Sequence, residues 1–478
     1  MRSRCAVALL AVIATLAAAG WPAVGQTPKR GGILNAMLME DPPGFSIHES
    51  STISGVWPVA PCYSNLVTFD SLKPVESVET VIAELAERWS WQDSYRNLVL
   101  FLRKNVKWHD GKSFSSADVK YTFDVVREAK DAPAKLRLSP RKDWYANVEA
   151  IEAPDAHTVI FRLKRPQPSL IYLDGIRYPI ITERGTRLAA LQTGRLDTGI
   201  PLEMTKLMAE TIKKNVPSMI VTEIGQNGSD NVVMNHKKPP FDNVVIRRAV
   251  SLAMDRHAYV KGVRYNGAVV GAALMPKPWG SWGLLDKDLQ ALPGYRDPAV
   301  DKAEAKRLLA QAGAGPAKPL RLELTTRAIA IYVDLASFVA DQLRQVGVEA
   351  AVKQLDTAQY FPALARREFV IGANLTAGAF DDPDAYLFEN YKCGTARNYT
   401  DYCNEAMDRL IDEQSEELDR DKRLKRVWEI QRKLEADVAR PMLGWRTEYF
   451  TRWPYVKNLV PHNSLYNYAR MQEVWLDR

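Results

Sequence analysis

From Asp297 onward the chain alternates between helical and extended apolar patterns, and this alternation narrows the available folds more than any other feature. Apolar spacing predicts a helix over residues 303–311, a strand over 320–325, a helix over 331–346 and a strand over 348–354. Strands joined through a helix run parallel, and a parallel sheet needs helices over its faces. An α/β body with a partly parallel sheet follows. The 478 residues, 46% of them hydrophobic, suffice for two or three folding units and for a core deep enough to hold a cleft.

Upstream, residues 31–38 read as a first strand and 41–48 as a turn-rich stretch. Strand-like runs at 98–102 and 157–163 flank a helical pattern over 117–130. Between them, His109-Asp110-Gly111 supplies a turn, and Ser115 with Asp118 three residues on forms a capping box ahead of the stripe Val119, Phe123, Val126. A short helix at 186–192 stops at Gly194, and 241–263 holds a longer one with Ile246, Val250, Leu252 and Met254 apolar. Pro276, Pro278, Gly280 and Gly283 then punctuate a loop. Beyond residue 400, Asn404 caps a helix with the stripe Met407, Leu410, Ile411, Leu418. The next helix carries Leu424, Val427, Trp428 and Leu434.

Residues 1–25 read as a cleavable export signal. Arg2 and Arg4 precede an uncharged apolar run, and Ala23-Val24-Gly25 places small residues at the cleavage site. Cys5 lies ahead of that run, so it is not the lipid-bearing cysteine of a lipoprotein. A Gram-negative periplasm is the expected compartment. The net charge of +7 is spread among acidic residues without a basic run, so nucleic acid is not expected as a partner. Cys393 and Cys403 bracket a short polar loop, and in an oxidising compartment a disulfide is expected there. Closing such a loop contributes on the order of 3 kcal/mol. Cys62 is then left over as a buried free thiol. The spacing fits no zinc pattern, and the six histidines are scattered, so no metal site is expected.

The stretch 98–124, LVLFLRKNVKWHDGKSFSSADVKYTFD, closely resembles a signature of the family 5 solute-binding proteins, the peptide- and nickel-binding class that serves bacterial ABC importers. The same resemblance runs in order through YLDGIRYPIITERGTRLAALQTGRLD (172–197), NHKKPPFDNVVIRRAVSLAMDRHAYV (235–260), AKRLLAQAGAG (305–315), QLRQVGVEAAVKQLD (342–356) and the DDPDAYL to NYTDYCNEAMDRLIDEQ region (381–414). The resemblance implies an α/β, two-lobed, periplasmic-binding-protein-like fold with an extra subdomain inserted in lobe I. Expected boundaries are lobe I at 26–269, lobe II at 270–445 and a return segment at 446–478. A hinge would close the lobes on ligand. One departure stands out: a family block of several dozen residues is missing between residue 163 and the YLDGI segment. Ser169 to Ile171 would bridge that step over roughly 10 Å, and lobe I is expected to be incomplete, with an exposed sheet edge.

The implied function is the substrate-binding component of an ABC importer. It would capture a peptide or similar small polar organic solute and deliver it to a membrane permease, acting as a monomer without cofactor. Position relative to the family, and the amphipathic faces that aromatics offer a cleft, nominate Phe45, Tyr63, Trp279, Trp282, Phe380 and Trp445. Core packing is the alternative for each. Peptide-binding members hold the ligand ammonium with an aspartate four residues before the proline of D-x-x-D-P, often with a tryptophan three residues earlier. Counting back from Pro383 reaches Ala379 and Thr376 instead. Asp381 is the substitute counter-charge, or else a capping residue beside Asp382 and Asp384. Arg397 is the candidate for an anionic group. No G-x-S-x-G, H-E-x-x-H or P-loop pattern occurs, so an enzyme is not expected. A degenerate or chaperone-like binding protein, and then a secreted hydrolase, remain as alternatives.

Overall fold

A computed structural model describes residues 34, 36, 38, 42, 44, 46–49, 52–58, 63–167, 184–199, 204–315, 318–378, 381–464 and 473–477. Residues 1–25, Phe45, Cys62, Phe380 and the step at Ser169–Ile171 lie outside them.

The first unit forms between residues 63 and 167. β1 (Val67–Phe69) pairs antiparallel with β2 (Val81–Ala83). β3 (Ala86–Gln92), β4 (Asn97–Leu102), β5 (Val148–Asp155) and β6 (Thr158–Leu163) make an antiparallel sheet in the order β3-β4-β6-β5. Alternation decides which face is wet: Val159, Phe161 and Leu163 are buried, and the residues between them are half-buried. α1 (Ser116–Val126) packs on that face. The expected capping box starts it, with the Ser115 N–H donating to Asp118 at 2.8 Å. Phe123 then meets Tyr145 and Phe161 edge-on at 5.2 and 5.1 Å. These residues share a core of their own, separate from the rest of the molecule.

Past α2 (Arg184–Gln192) and α3 (Lys206–Asn215) comes a six-stranded sheet. Its members are β7 (Ile220–Met234), β8 (Ala268–Val269), β9 (Leu320–Arg327), β10 (Val348–Leu355), β11 (Ile371–Ala377) and β12 (Met442–Arg452), in the order β10-β9-β11-β7-β12-β8. β9 runs parallel to β10 and to β11, while β7, β12 and β8 join antiparallel. The parallel part is the region whose alternation the sequence displays. α4 (Val244–Ala253) packs on α5 (Pro298–Gln311), whose first turn is fixed by Asp297 accepting from the Ala299 N–H and by proline at its start. α6 (Ala330–Arg344) lies over β9, β10 and β11, and α7 (Thr357–Ala365) leads into β11. α8 (Pro383–Tyr391), α9 (Glu405–Glu416) and α10 (Arg420–Ala436) build a third cluster around Trp445.

β7 organises the whole. Its first half pairs with residues 447–452 of β12, and its second half pairs with β11. With α4 packed on α5, residues 228–269 therefore sit beside the segment expected as lobe II. Within β7 the neighbour on one edge changes: residues 228–234 have β11 beside them, whereas residues 220–225 pair with β12 alone. The expected helix over 241–263 is broken as well: α4 ends at Ala253, and a short turn and a π-turn over Tyr259–Val263 follow.

Candidate ligand-binding site at the strand crossing

Where β7 and β12 pass between the two sides their register slips. Trp445 faces Ser229, but Thr447 faces Gly225, so Gln226, Asn227 and Gly228 stand opposite Arg446 alone. Such a bulge bends and twists the pair. Two close approaches hold it. A Cβ on Gly225 would overlap the Trp279 ring, and one on Gly228 would overlap the Arg446 guanidinium.

The strand is polar where a central strand is ordinarily apolar. Gln226, Asn227, Ser229, Asp230 and Asn231 are all buried. Most are answered by neighbours: Ser229 Oγ meets Tyr386 Oη at 2.5 Å, and Asn231 Nδ2 donates to Thr376 Oγ1 at 3.1 Å. Asp230 accepts from Tyr259 Oη at 2.9 Å and from Arg264 Nε at 2.8 Å. Both amide atoms of Gln226, and Nε and Nη1 of Arg446, lack a hydrogen-bond partner among the described residues. An unmatched buried polar group costs about 1–3 kcal/mol, so the crossing is a locally unfavourable stretch of an otherwise well-bonded sheet.

The residues expected to bind ligand distribute unevenly. Trp279 lies half-buried against Gly225. Trp282 is buried, donates Nε1 to the Asp381 carbonyl at 3.0 Å and stacks under Arg423, 4.9 Å from its ring centre. The Asp381 carboxylate accepts the Ser281 N–H at 2.9 Å; burial pushes its pKa up to about 6, and that hydrogen bond opposes the rise. The capping role falls to Asp382, which accepts the Asp384 N–H and pairs with Arg423 at 2.7 Å. Thr376, at the family's tryptophan position, is buried and bonded to Asn231 and Asn374. Trp445 is fully buried, donates to the Ala272 carbonyl at 2.9 Å and lies 5.2 Å from the Tyr386 ring. Arg397 does meet an anion, but an internal one: its Nη1 lies 2.6 Å from Glu389 Oε1. Tyr63 stands apart, 47% exposed at the entry to the first unit. The Cys393–Cys403 disulfide is present.

Contacts outside those expectations tie the first unit to the opposite side. A 3₁₀ turn, Lys142–Tyr145, presents two side chains to α8 and the disulfide loop. Trp144 Nε1 donates to Glu389 at 2.8 Å, and the Asp143 carboxylate accepts the Ala396 N–H at 2.6 Å. Arg165 adds an ion pair to Asp412 at 2.9 Å. From the C-terminal side, Asn463 donates its N–H to the Pro74 carbonyl at 3.3 Å, and its own carbonyl accepts the Asn227 N–H at 2.8 Å. Among the described residues, no group of three His, Cys, Asp or Glu is placed to hold a metal ion. No helix among them is long and apolar enough to cross a membrane.

The chain belongs to the bacterial extracellular solute-binding proteins, family 5, whose middle-region model matches residues 80–173 and 168–398, more than half of the chain. The two matched pieces overlap at residues 168–173, the step at which a missing family block is expected from the sequence. The glutathione-binding protein GsiB of Escherichia coli is 25% identical over 333 residues, a match taking in 58% of this chain and 61% of that protein. The chain thus spans less than two thirds of the curated relatives it matches. Among solved structures, the murein tripeptide binding protein MppA of Escherichia coli superposes with a TM-score of 0.79 at 17% identity, covering 94% of this chain and 99% of that one. The oligopeptide-binding protein AppA of Bacillus subtilis, in complex with a nonapeptide, gives 0.78 at 19% identity, covering 95% and 100%. The two-lobed α/β fold is the fold of these proteins.

Proposed function

We propose that the chain is the substrate-binding component of an ABC importer, capturing a peptide or similar small polar organic solute between its lobes and delivering it to a membrane permease. Lobe I takes the residues ahead of the β7 crossing, with 63–167 as its inserted subdomain, and the chain returning after Trp445. Lobe II takes the residues between. The observation that carries this reading is the crossing itself: two antiparallel strands pass between the halves and share a register slip at Gln226–Gly228 and Arg446, the geometry of a hinge. Trp279, Trp282, Asp381 and Trp445 gather around it, with Arg397 behind Tyr386. Phe45 and Phe380 join them by family position, and Tyr63 serves the rim. Relatives named for glutathione, a murein tripeptide and a nonapeptide make peptides the first class to try. The protein acts as a monomer in the periplasm after loss of residues 1–25, and it hands its cargo on unchanged.

Native mass spectrometry of protein taken from its own periplasm tests the proposal. The expected result is a one-to-one complex with a small polar molecule. Displacement by short peptides should then change tryptophan fluorescence, because Trp279 and Trp445 sit at the crossing. Chemical conversion of the bound molecule on incubation would sink the reading.

A further inference from the structure

Trp445 packs toward Tyr386 of α8, and Arg446, next along β12, points to the other face of the sheet. A gap of about 610 Å³ opens on that other face. One of its walls is the start of α3. The opposite wall is the turn bearing Arg264 and Tyr265, together with Asp334 and Phe338 of α6. Between the walls lie Arg446 and Thr447, at the register slip.

On the lobe division proposed above, the α3 wall belongs to lobe I and the α6 wall to lobe II. We infer that this rear gap is the space the halves turn into when the cleft opens, and that Leu207 of α3 then docks on Tyr265 and Phe338 and holds the open form. Two bodies turning about paired strands cannot part in front without approaching behind. The walls are suited to meet. Leu207 is 51% exposed and Tyr265 is 46% exposed, and they line the gap from opposite sides. Large apolar side chains wetted across one space gain by being pressed together. The turn holds Tyr265 and Asn266 at φ of 52° and 61°, a left-handed conformation that is costly for a tyrosine and marks such a turn as a functional candidate. Charge agrees across the gap as well, with Lys206 on the α3 wall and Asp334 on the α6 wall. The base is bound internally: Arg264 pairs with Asp230 at 2.6 Å, and Arg446 lies 3.6 Å from Asp230 and 3.5 Å from Glu448. The walls are therefore the parts that move. Front seam and rear contact oppose each other, and cargo shifts the balance between them.

Small-angle scattering of the full chain, stripped of cargo in urea and refolded, tests this. The parent should show a radius of gyration above the one calculated from the conformation described here. Leu207→Ser removes the apolar contact and should lower the ratio of open to closed molecules about fivefold, the worth of burying half a leucine side chain. Lys206→Glu sets a like charge against Asp334 and should compact the protein at low salt, with the parent radius returning at high salt. Neither residue is buried, so both variants keep the fold, which circular dichroism verifies. One radius shared by the parent and both variants, or a larger radius in either variant, would overturn the inference. Native mass spectrometry of the untreated parent keeps that failure apart from failure of the importer reading. Cargo present with three equal radii removes the rear contact alone; cargo absent with radii that respond as expected removes the importer reading alone.

Discussion

Glu435 shows how one buried acid sets a pH dependence. Tyr295 Oη donates to it at 3.0 Å, and Arg256 lies near, but desolvation prevails and lifts its pKa from 4.5 to about 7. A carboxyl raised in the folded state favours folding when protonated. Its stabilisation is complete below pH 4.5 and is lost as the pH rises through 7. Glu435→Gln should therefore be more stable than the parent by about 3 kcal/mol at pH 8, with the advantage gone below pH 4.5; urea melts at the two pH values measure it. Gly225 is the other decisive residue. Gly225→Ala places a methyl group in the Trp279 ring and should cost about 1–3 kcal/mol. Adding Trp279→Ala should recover part of the overlap penalty, and a double-mutant cycle reads the coupling.

At the level of elements, the disulfide loop carries both Arg397 and Ala396, which contact Glu389 and Asp143. Replacing Cys393 and Cys403 by serine should lower stability by about 2–3 kcal/mol and speed amide exchange at Ala396. What the sequence displayed of these elements follows their physics. α5, β9, α6 and β10 were legible because helix-forming and strand-forming runs of ordinary length alternate there between glycine- and proline-marked turns. β7 was not. Its reading IVTEIGQNGSDNVVM has neither alternation nor strand-forming residues in the middle, and the partners of Ser229, Asn231 and Asp230 are Tyr386, Thr376 and Arg264, residues brought near by α8, β11 and the turn after Val263. The same division holds for the site. Asp381 could be nominated by counting from Pro383 and Trp282 by position relative to the family, and the two meet through the bond from Trp282 Nε1 to the Asp381 carbonyl. Gln226, Arg446 and the Trp144–Glu389 contact could not, since their meaning depends on which segments meet.

Over the whole molecule, the first unit reaches across to α8 through Trp144, to the disulfide loop through Asp143 and to α9 through Arg165. On the proposed division into lobes, these contacts are the ones that opening must break. Trp144→Phe combined with Asp143→Asn removes one neutral donor and one charge from that seam, worth about 1–3 kcal/mol together. Small-angle scattering should report a larger radius of gyration for this variant without cargo, and ligand affinity should fall by the same free energy. An unchanged radius would place the closing force elsewhere. Closing on a guest then needs no new secondary structure, since the strands that cross are already paired on both sides of the slip.

That slip has a mechanical consequence. A two-strand ribbon passing through both halves is stiff along most of its length, so bending concentrates at the three residues that oppose one. Amides there should exchange fastest within an otherwise protected ribbon. Deleting Gln226 and Asn227 together, which leaves Gly228 alone opposite Arg446, should freeze the angle between the halves.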